Sequence, residues 1–566
     1  PNPESRIPNP ESRIPNPARR RQRRRAGTAA QMPNLLRSLA SFSGPTFLSR
    51  ILGLVREMVI AQTFGANAAT DAFWIAFRIP NFFRRLFAEG SFSLAFVPVF
   101  TEYKQTREQA ELRELIARTA GTLGAVLLVV TALGMLFAPE IARLFAPASS
   151  AEAGKVDLIA DLLRVTFPFL LFVSLTALAG GALNAYGRFA LPAATPMILN
   201  ICMIAAAWWL APLLEVPVMA LAIAILVAGV LQLLVQFQVL RRLDLLVWPA
   251  WGGAHAGVRR ILKLMVPTLF GSSVAQVNLL LDTVIAAFLI AGSQTWLAQT
   301  DRLLEFPLGI FGVALGTVIL PALSRHHVDT DPAGFSRALD WGLRMALLIA
   351  LPAMLGLMLL AEPILATLLQ YGAFTAFDTR MVALSLMTVS FGLPAFVLIK
   401  VVAPAFYARQ DTATPVKIGI VAMIANMGFN LAFLSALLWW RADEFAPGLS
   451  VFEKLAALPG LHLALSAASV ASGWLNLLLL AWVLRRQGVY RAQAGWTRHL
   501  LRLALACTAM AAALWAGLQL WPEFGAYGWQ GRSWRLAVLV AGGAAVFGLV
   551  MLALGFRPRD LREARG

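Results

Sequence analysis

Charge is what this chain has least of for its length. Asp, Glu, Lys and Arg make up 14% of its 566 residues, against roughly 25% in a soluble globular protein. The polar surface needed to cover a water-soluble globule is therefore missing. Cysteine is nearly absent as well. Cys202 and Cys507 each stand alone in an apolar segment, which excludes a disulfide framework and a thiolate metal site. The five histidines form no H-E-x-x-H or comparable spacing, and no Walker-type glycine loop occurs, so metal hydrolysis and ATP hydrolysis lack sequence support. No segment is long enough to gather the basic charge on a separate soluble domain. The formal net charge of +18 thus does not mark a nucleic-acid binder.

What is there in abundance is hydrocarbon. Hydrophobic residues make up 58% of the chain, and mean hydropathy is +0.69. The windows 189–214 and 216–240 contain no Asp, Glu, Lys or Arg. About 20 apolar residues cross a bilayer core as a helix. The chain therefore reads as an all-α polytopic membrane protein. Fourteen apolar segments are expected, centred near residues 50, 84, 129, 171, 200, 228, 276, 311, 350, 394, 427, 473, 510 and 545.

The connections after even-numbered segments carry most of the basic residues, among them Lys104, Arg113, Arg241, Arg242, Arg259, Arg260, Arg485 and Arg486, and the tail adds Arg557 to Arg565. Odd-side connections hold few, such as Arg143, Lys155 and Arg380. Basic loops stay in the cytoplasm, so both termini are expected there. Residues 1–31 repeat PNPESRI and then run into RRRQRRR. Such a stretch cannot bury a core and is expected to be a disordered basic extension, with the working protein beginning near Met32. Prolines inside the apolar segments, including Pro168, Pro196, Pro307, Pro321, Pro352 and Pro404, kink helices and suit a transporter better than a rigid anchor.

Against this background, charge inside the apolar segments stands out. The first segment holds Arg50, Arg56 and Glu57. The second holds Asp71, Arg78, Arg84, Arg85 and Glu89, and the eighth holds Asp301, Arg302 and Glu305. A centred arginine costs about 2.5–3.5 kcal/mol on insertion scales, so such groups face a polar interior. Asp71, Arg78 and Arg85 recur every seven residues, which places them on one helical face, and Glu89 follows Arg85 by four. Basic residues dominate, so the expected cavity attracts an anion, and the guanidinium fork suits phosphate. Arg50, Arg56, Arg84 and Arg302 are the favoured ligand contacts, while Arg78, Arg85, Glu57 and Glu89 are secondary candidates. Asp282, alone in the seventh segment, fits either a buried polar contact or an ion or proton site.

Several blocks carry a resemblance. NLLRS (34–38), SRILGLVRE (49–57), ATDAFWIAFRIPNFFRRLFAEGSFSLAFVPVF (69–100), DRLLEFPLGIFGVALGTVILPALS (301–324), QYGAFTAFD (370–378) and APAFYARQDTATPVK (403–417) resemble the MurJ (MviN) family. These are bacterial lipid II flippases of the MOP exporter superfamily. The resemblance implies a lobe of helices 1–6 (residues 32–243), a lobe of helices 7–12 (244–490), and a last helix pair (491–566) that adds a groove for a polyprenyl tail. It implies substrate contacts at Arg50, Arg56, Arg84 and Arg302. It also implies functional acids at Asp71 and Glu305 that close gates by pairing with the arginines. Two departures are visible: Glu57 stands where the family has Asp, and the connection 440–460 is longer.

The expected activity is therefore non-enzymatic. The chain would move lipid II, an undecaprenyl-diphosphate-linked disaccharide pentapeptide, across the bacterial inner membrane by alternating access. Its expected partners are lipid II, membrane lipids and a cell-wall synthase complex, with no nucleic acid. No cofactor is expected, and coupling to the membrane potential or to a monovalent cation is left open. The rival is another MOP-type transporter, either an O-antigen lipid flippase or a multidrug exporter. A membrane enzyme acting on polyprenyl phosphates is a further alternative, but it would need acidic or histidine chemistry in loops that are short and mostly basic.

Overall fold

The computed structural model describes residues 48–85, 91–145, 154–309 and 313–557. The extension 1–31 and Glu89 lie outside them. Among the described residues every regular element is helical, with no strand. In chain order the helices are α1 (48–64), α2 (Ala68–Arg84), α3 (Ser91–Thr106), α4 (Gln109–Leu136), α5 (Ala138–Phe145), α6 (Lys155–Thr166), α7 (Phe169–Ala185), α8 (Ala190–Ala205), α9 (Met219–Arg242) and α10 (Ala256–Ala286). They continue as α11 (Ser293–Pro307), α12 (Val313–Val328), α13 (Pro332–Leu359), α14 (Ala361–Leu368), α15 (Ala376–Ser390), α16 (Leu393–Tyr407), α17 (Ala413–Trp440), α18 (Val451–Ala457), α19 (His462–Arg486), α20 (Trp496–Gln519) and α21 (Trp529–Ala553).

Nine helical runs among the described residues are long and apolar enough to cross a membrane, and a tenth forms if α15 and α16, bent by 43°, count as one span. The expected first, second, seventh and eighth segments are not in this set. The described parts of the second and eighth are shorter helices: α2, α3, α11 and α12 have 17, 16, 15 and 16 residues. All four carry interior charge, the seventh through Asp282 alone. The apolar spans are the walls, and their outward leucines, such as Leu431, Leu501 and Leu549, are exposed, as suits a hydrocarbon solvent.

Two cores organise the bundle. One side is built from Phe73, Ile75, Phe169 and Leu221 of α2, α7 and α9, continued by Phe96, Phe100 and Leu115 of α3 and α4. The other is built from Leu339, Val382, Leu386 and Val401 of α13, α15 and α16. Small residues set the approach distances: a Cβ at Gly229 would lie 2.8 Å from the Phe169 ring.

The helix pair α20–α21 is tied to α13 through one buried carboxylate. Asp340 accepts from Arg344 Nε at 2.7 Å, the Tyr490 hydroxyl at 2.8 Å, Trp496 Nε1 at 2.6 Å and the Gln493 amide at 3.1 Å. Burial first, and the Asp340 carboxylate second, hold the Tyr490 hydroxyl protonated well above the ordinary tyrosine range. Removing one member of a buried charged cluster costs about 3–5 kcal/mol. Asp340→Ala should therefore lower the thermal unfolding midpoint of the purified protein by roughly 5 °C or more. An unchanged midpoint would show that the connection is not held this way.

Candidate functional site

The seam between the two cores is closed at one end and hollow further along. Closure begins with local capping. Asn67 Oδ1 accepts from the amides of Ala69 (3.0 Å) and Thr70 (3.1 Å), and Thr70 Oγ1 accepts from the Asn67 amide at 2.9 Å. This capping box starts α2 and fixes Asp71 in its first turn. Asp71 then reaches across the seam to the N-terminus of α11. Its carboxylate accepts from the amides of Gly292 (2.8 Å) and Thr295 (2.9 Å) and from Thr295 Oγ1 (2.7 Å). The first amides of a helix have no intrahelical acceptor and form its positive end, so an acid from another helix is well placed there.

Backbone seals the same end. The Ala373 amide donates to the Gln62 carbonyl of α1 at 2.9 Å. Gly65 (φ +66°) and Gly372 (φ +57°) allow the two chains to meet, because a Cβ on either would strike the opposing backbone. Trp296 Nε1 donates to Asp378 at 3.0 Å, and Asp378 completes the capping box of α15 with Thr375. The ATDAF and QYGAFTAFD blocks thus both meet the start of α11, through Thr295 and Trp296.

Along α2 from Asp71, the seven-residue spacing keeps Arg78 and Arg85 on the face that meets α10 and α11. Arg78 donates to Thr283 Oγ1 at 2.6 Å and pairs with Asp301 at 3.4 Å. Arg85 donates to Gln276 at 3.4 Å and pairs with Glu305 at 3.7 Å. Arg302 bridges Glu57 and Glu305, each at 3.3 Å. Glu57 is also paired to Arg56 and accepts from Gln299 at 3.4 Å, and Arg56 donates to Asn200 at 3.0 Å. Arg56 and Glu57 are 6% and 4% exposed. One polar chain therefore runs from α8 through α1 and α11 to α2 and α10.

A cavity of about 450 Å³ opens beside this chain, lined by Arg78, Arg85, Arg302, Asp282, Asp301 and Glu305 among others. Three arginines face three acids. The expected cationic excess is therefore balanced in this state. The balancing acids come from α10 and α11, far from α2 in sequence, where counting charge along single segments could not pair them. Of the four favoured arginines, Arg302 lines the cavity. Arg56 is buried beside it in the network, and Arg84 turns back to Asn81 at 2.8 Å. Arg50 is exposed with its guanidinium against the backbone at Gly309. Arg78 and Arg85, the secondary candidates, line the cavity directly. Asp71, expected to pair with arginine, instead holds helix amides. Arg85 is paired with Glu305, and Glu89, expected opposite it, lies outside the described residues.

Sequence reasoning missed Asn200, Thr283, Thr295 and Gln299, which are single polar residues whose partners lie on other helices. Asp282 sits in a polar knot: Asn426 and Asn430 donate to its Oδ1 at 2.9 and 2.7 Å, and Asn278 donates to its Oδ2 at 3.2 Å. The carbonyl oxygens of Asn426 and Asn430 are buried without a partner. The pair Asn426 and Asn430, four apart in the middle of a largely apolar helix, was the signal that could have found this knot. Among the described residues no cluster of His, Cys, Asp and Glu suits a metal ion.

Comparison with known proteins gives the family. A family model described as lipid II flippase MurJ matches residues 60–529. A relative from Vibrio cholerae serotype O1, named probable lipid II flippase MurJ, is 43% identical over 537 residues, covering 94% of this chain and 98% of the relative. The solved structure of a lipid II flippase MurJ in an inward closed conformation superposes with a TM-score of 0.73 at 24% identity, over 92% of this chain and 99% of that one. An inward-facing multidrug resistance MATE transporter of the MOP superfamily shares the fold at a TM-score of 0.61 and 13% identity, over 79% of this chain and 98% of that one. With the family model spanning most of the chain and a relative matched nearly end to end, this multi-pass membrane protein belongs to the MurJ family.

Proposed function

We propose that the protein flips lipid II from the cytoplasmic to the periplasmic leaflet of the inner membrane by alternating access. This reading counts fourteen crossings, taking α2–α3, α6–α7, α11–α12 and α15–α16 as one span each, and the excess of basic residues in alternate connections supports cytoplasmic termini. On this reading the Asp71 end is the periplasmic gate, and the cavity faces the cytoplasm. Residues 32–243 and 244–490 are the two moving lobes, and 491–566 supplies the groove for the lipid tail.

The observation that carries the proposal is the paired state of Arg78, Arg85 and Arg302 at the hollow part of the seam. Their partners Asp301 and Glu305 are about half-exposed. A diphosphate offers a doubly forked acceptor to guanidinium, so it can displace these acids from the arginines. Substrate binding thereby rewires the ion pairs that join α2 to α11, and it biases the seam toward a different arrangement. Arg56, Arg50 and Arg84 then add positive charge around the bound head. The cavity of about 450 Å³ lies toward the small end of ligand pockets, so a sugar-peptide head requires the seam to widen as it enters. A drug exporter for cations would need free acidic groups or an apolar pocket, whereas here Asp301 and Glu305 are committed to arginines.

For energy coupling, we assign any monovalent cation to the Asp282 knot. Rotating the amides of Asn426 and Asn430 would turn their unpartnered carbonyls toward the carboxylate and convert donors into cation ligands. The membrane potential is the other source, at about 2.3 kcal/mol per charge per 100 mV.

Depleting the protein and assaying lipid II on the outer leaflet tests the function. Externally accessible lipid II should fall while total lipid II accumulates, and undiminished external access would overturn the assignment.

A further inference from the structure

One buried arginine stands apart from the charged network of the seam. Arg532, in the first turn of α21, is 8% exposed, and its hydrogen bonds all run to backbone carbonyls. Nε donates to Tyr527 O at 2.7 Å, Nη1 donates to Ala366 O at 2.7 Å and Gln370 O at 3.1 Å, and Nη2 donates to Gly525 O. The guanidinium also lies 5.1 Å over the Tyr371 ring. Ala366 and Gln370 stand at the C-terminal end of α14, where carbonyls lack intrahelical donors and carry partial negative charge. Arg532 is thus a cap supplied to α14 by another helix. Its planar fork reaches carbonyls on two elements at once, which a lysine ammonium does not reproduce.

The seal lies immediately beyond α14. Three residues after Gln370, the Ala373 amide donates to Gln62 of α1. Little slack separates these points. The Tyr371 hydroxyl donates to Thr367 O at 3.1 Å, Gly372 is pressed against Gln62, and Phe374 is 1% exposed. Leu360, Ala366, Phe524 and Leu539 share one apolar core, which packs α14 against the C-terminal pair.

We infer that Arg532 is a positioning residue that couples the C-terminal helix pair to the Gln62–Ala373 seal, so that displacement of the pair by a hydrocarbon chain beside it loosens that end of the seam. The inference rests on the reading of the Asp71 end as a gate.

The test uses the full chain in native membranes, with Cys202 and Cys507 replaced by alanine and a Gln62→Cys, Ala373→Cys pair bridged by a short bifunctional thiol reagent. Arg532→Ala should lower the bridging yield about fivefold or more, the lower end of measured coupling between sites. Arg532→Lys should also lower it. Arg535→Ala should not, because Arg535 stacks on Tyr527 and Trp534 and bonds only within α21. Parent-like bridging in Arg532→Ala, at matched membrane levels, overturns the inference. If that variant fails to accumulate, Arg532→Lys is judged by the same criterion. Asp71→Ala in the same background separates the two ideas. If it lowers bridging while Arg532→Ala does not, the gate stands and the coupling falls. If Asp71→Ala leaves bridging intact, the gate itself is wrong.

Discussion

Arg56→Ala should abolish growth support in a strain depleted of the native protein, and most of that loss should come from Glu57. Both residues are almost fully buried and paired. Deleting the arginine leaves a carboxylate in a dry interior with Arg302 as its remaining cation at 3.3 Å. Breaking a buried pair by removing one partner costs about 3–5 kcal/mol, a large share of the roughly 5–15 kcal/mol that holds a typical domain. The double variant Arg56→Ala, Glu57→Ala removes the orphaned charge. It should restore accumulation in the membrane without restoring flipping, because the positive charge near Arg302 is still gone. Quantitative blotting of membranes alongside lipid II sidedness separates these outcomes. Growth with Arg56→Ala alone would refute the assignment. A double variant as poorly accumulated as the single would show that the orphaned charge was not the cause.

Much of this site was legible before any coordinates, because charge in a bilayer has few explanations. The stripe of Asp71, Arg78 and Arg85 follows from the helical repeat alone, and its face does meet α10 and α11. What periodicity could not supply was the partner across the seam. Glu305 pairs with Arg85 from more than two hundred residues away, whereas Glu89 is one turn along the chain. Local spacing points only to neighbours along the chain, so it cannot find Glu305. The same blindness hid the role of Asp71. An acid in an arginine-rich segment suggests an ion pair, but the amides of a helix N-terminus are an equally good cation substitute and leave no trace in composition. The broken helices were only half visible. Prolines 307 and 404 fall within α11 and α16, while the bend between α15 and α16 lies at Phe391 and Gly392.

Asp71→Asn should shift the protein toward a state open at the Asp71 end, with labelling of a cavity cysteine from the periplasm rising by about tenfold or more. The carboxylate makes three hydrogen bonds to α11, two of them to amides at the helix start. Hydrogen bonds to a charged group contribute about 1.5–3 kcal/mol each. Asparagine keeps one acceptor oxygen and turns its NH₂ toward an N–H, so at least one bond is lost and a donor faces a donor. Each 1.4 kcal/mol is a factor of about ten in the population of the two states. The backbone contact at Gln62 and Ala373 still favours the closed arrangement and is broken only in the fraction of molecules that open, which limits the shift to a change of equilibrium rather than collapse of the seam. The readout is Ala298→Cys, a cavity-lining position, reacting with a membrane-impermeant maleimide in a chain lacking Cys202 and Cys507. Asp71→Glu keeps the charge but moves it by one methylene, so its rate should fall between parent and Asp71→Asn. If the amide variant labels as slowly as the parent, the carboxylate does not hold the gate, and closure must reside in the backbone contact alone. If it labels faster yet flips lipid II normally, opening at this end is not limiting for the cycle.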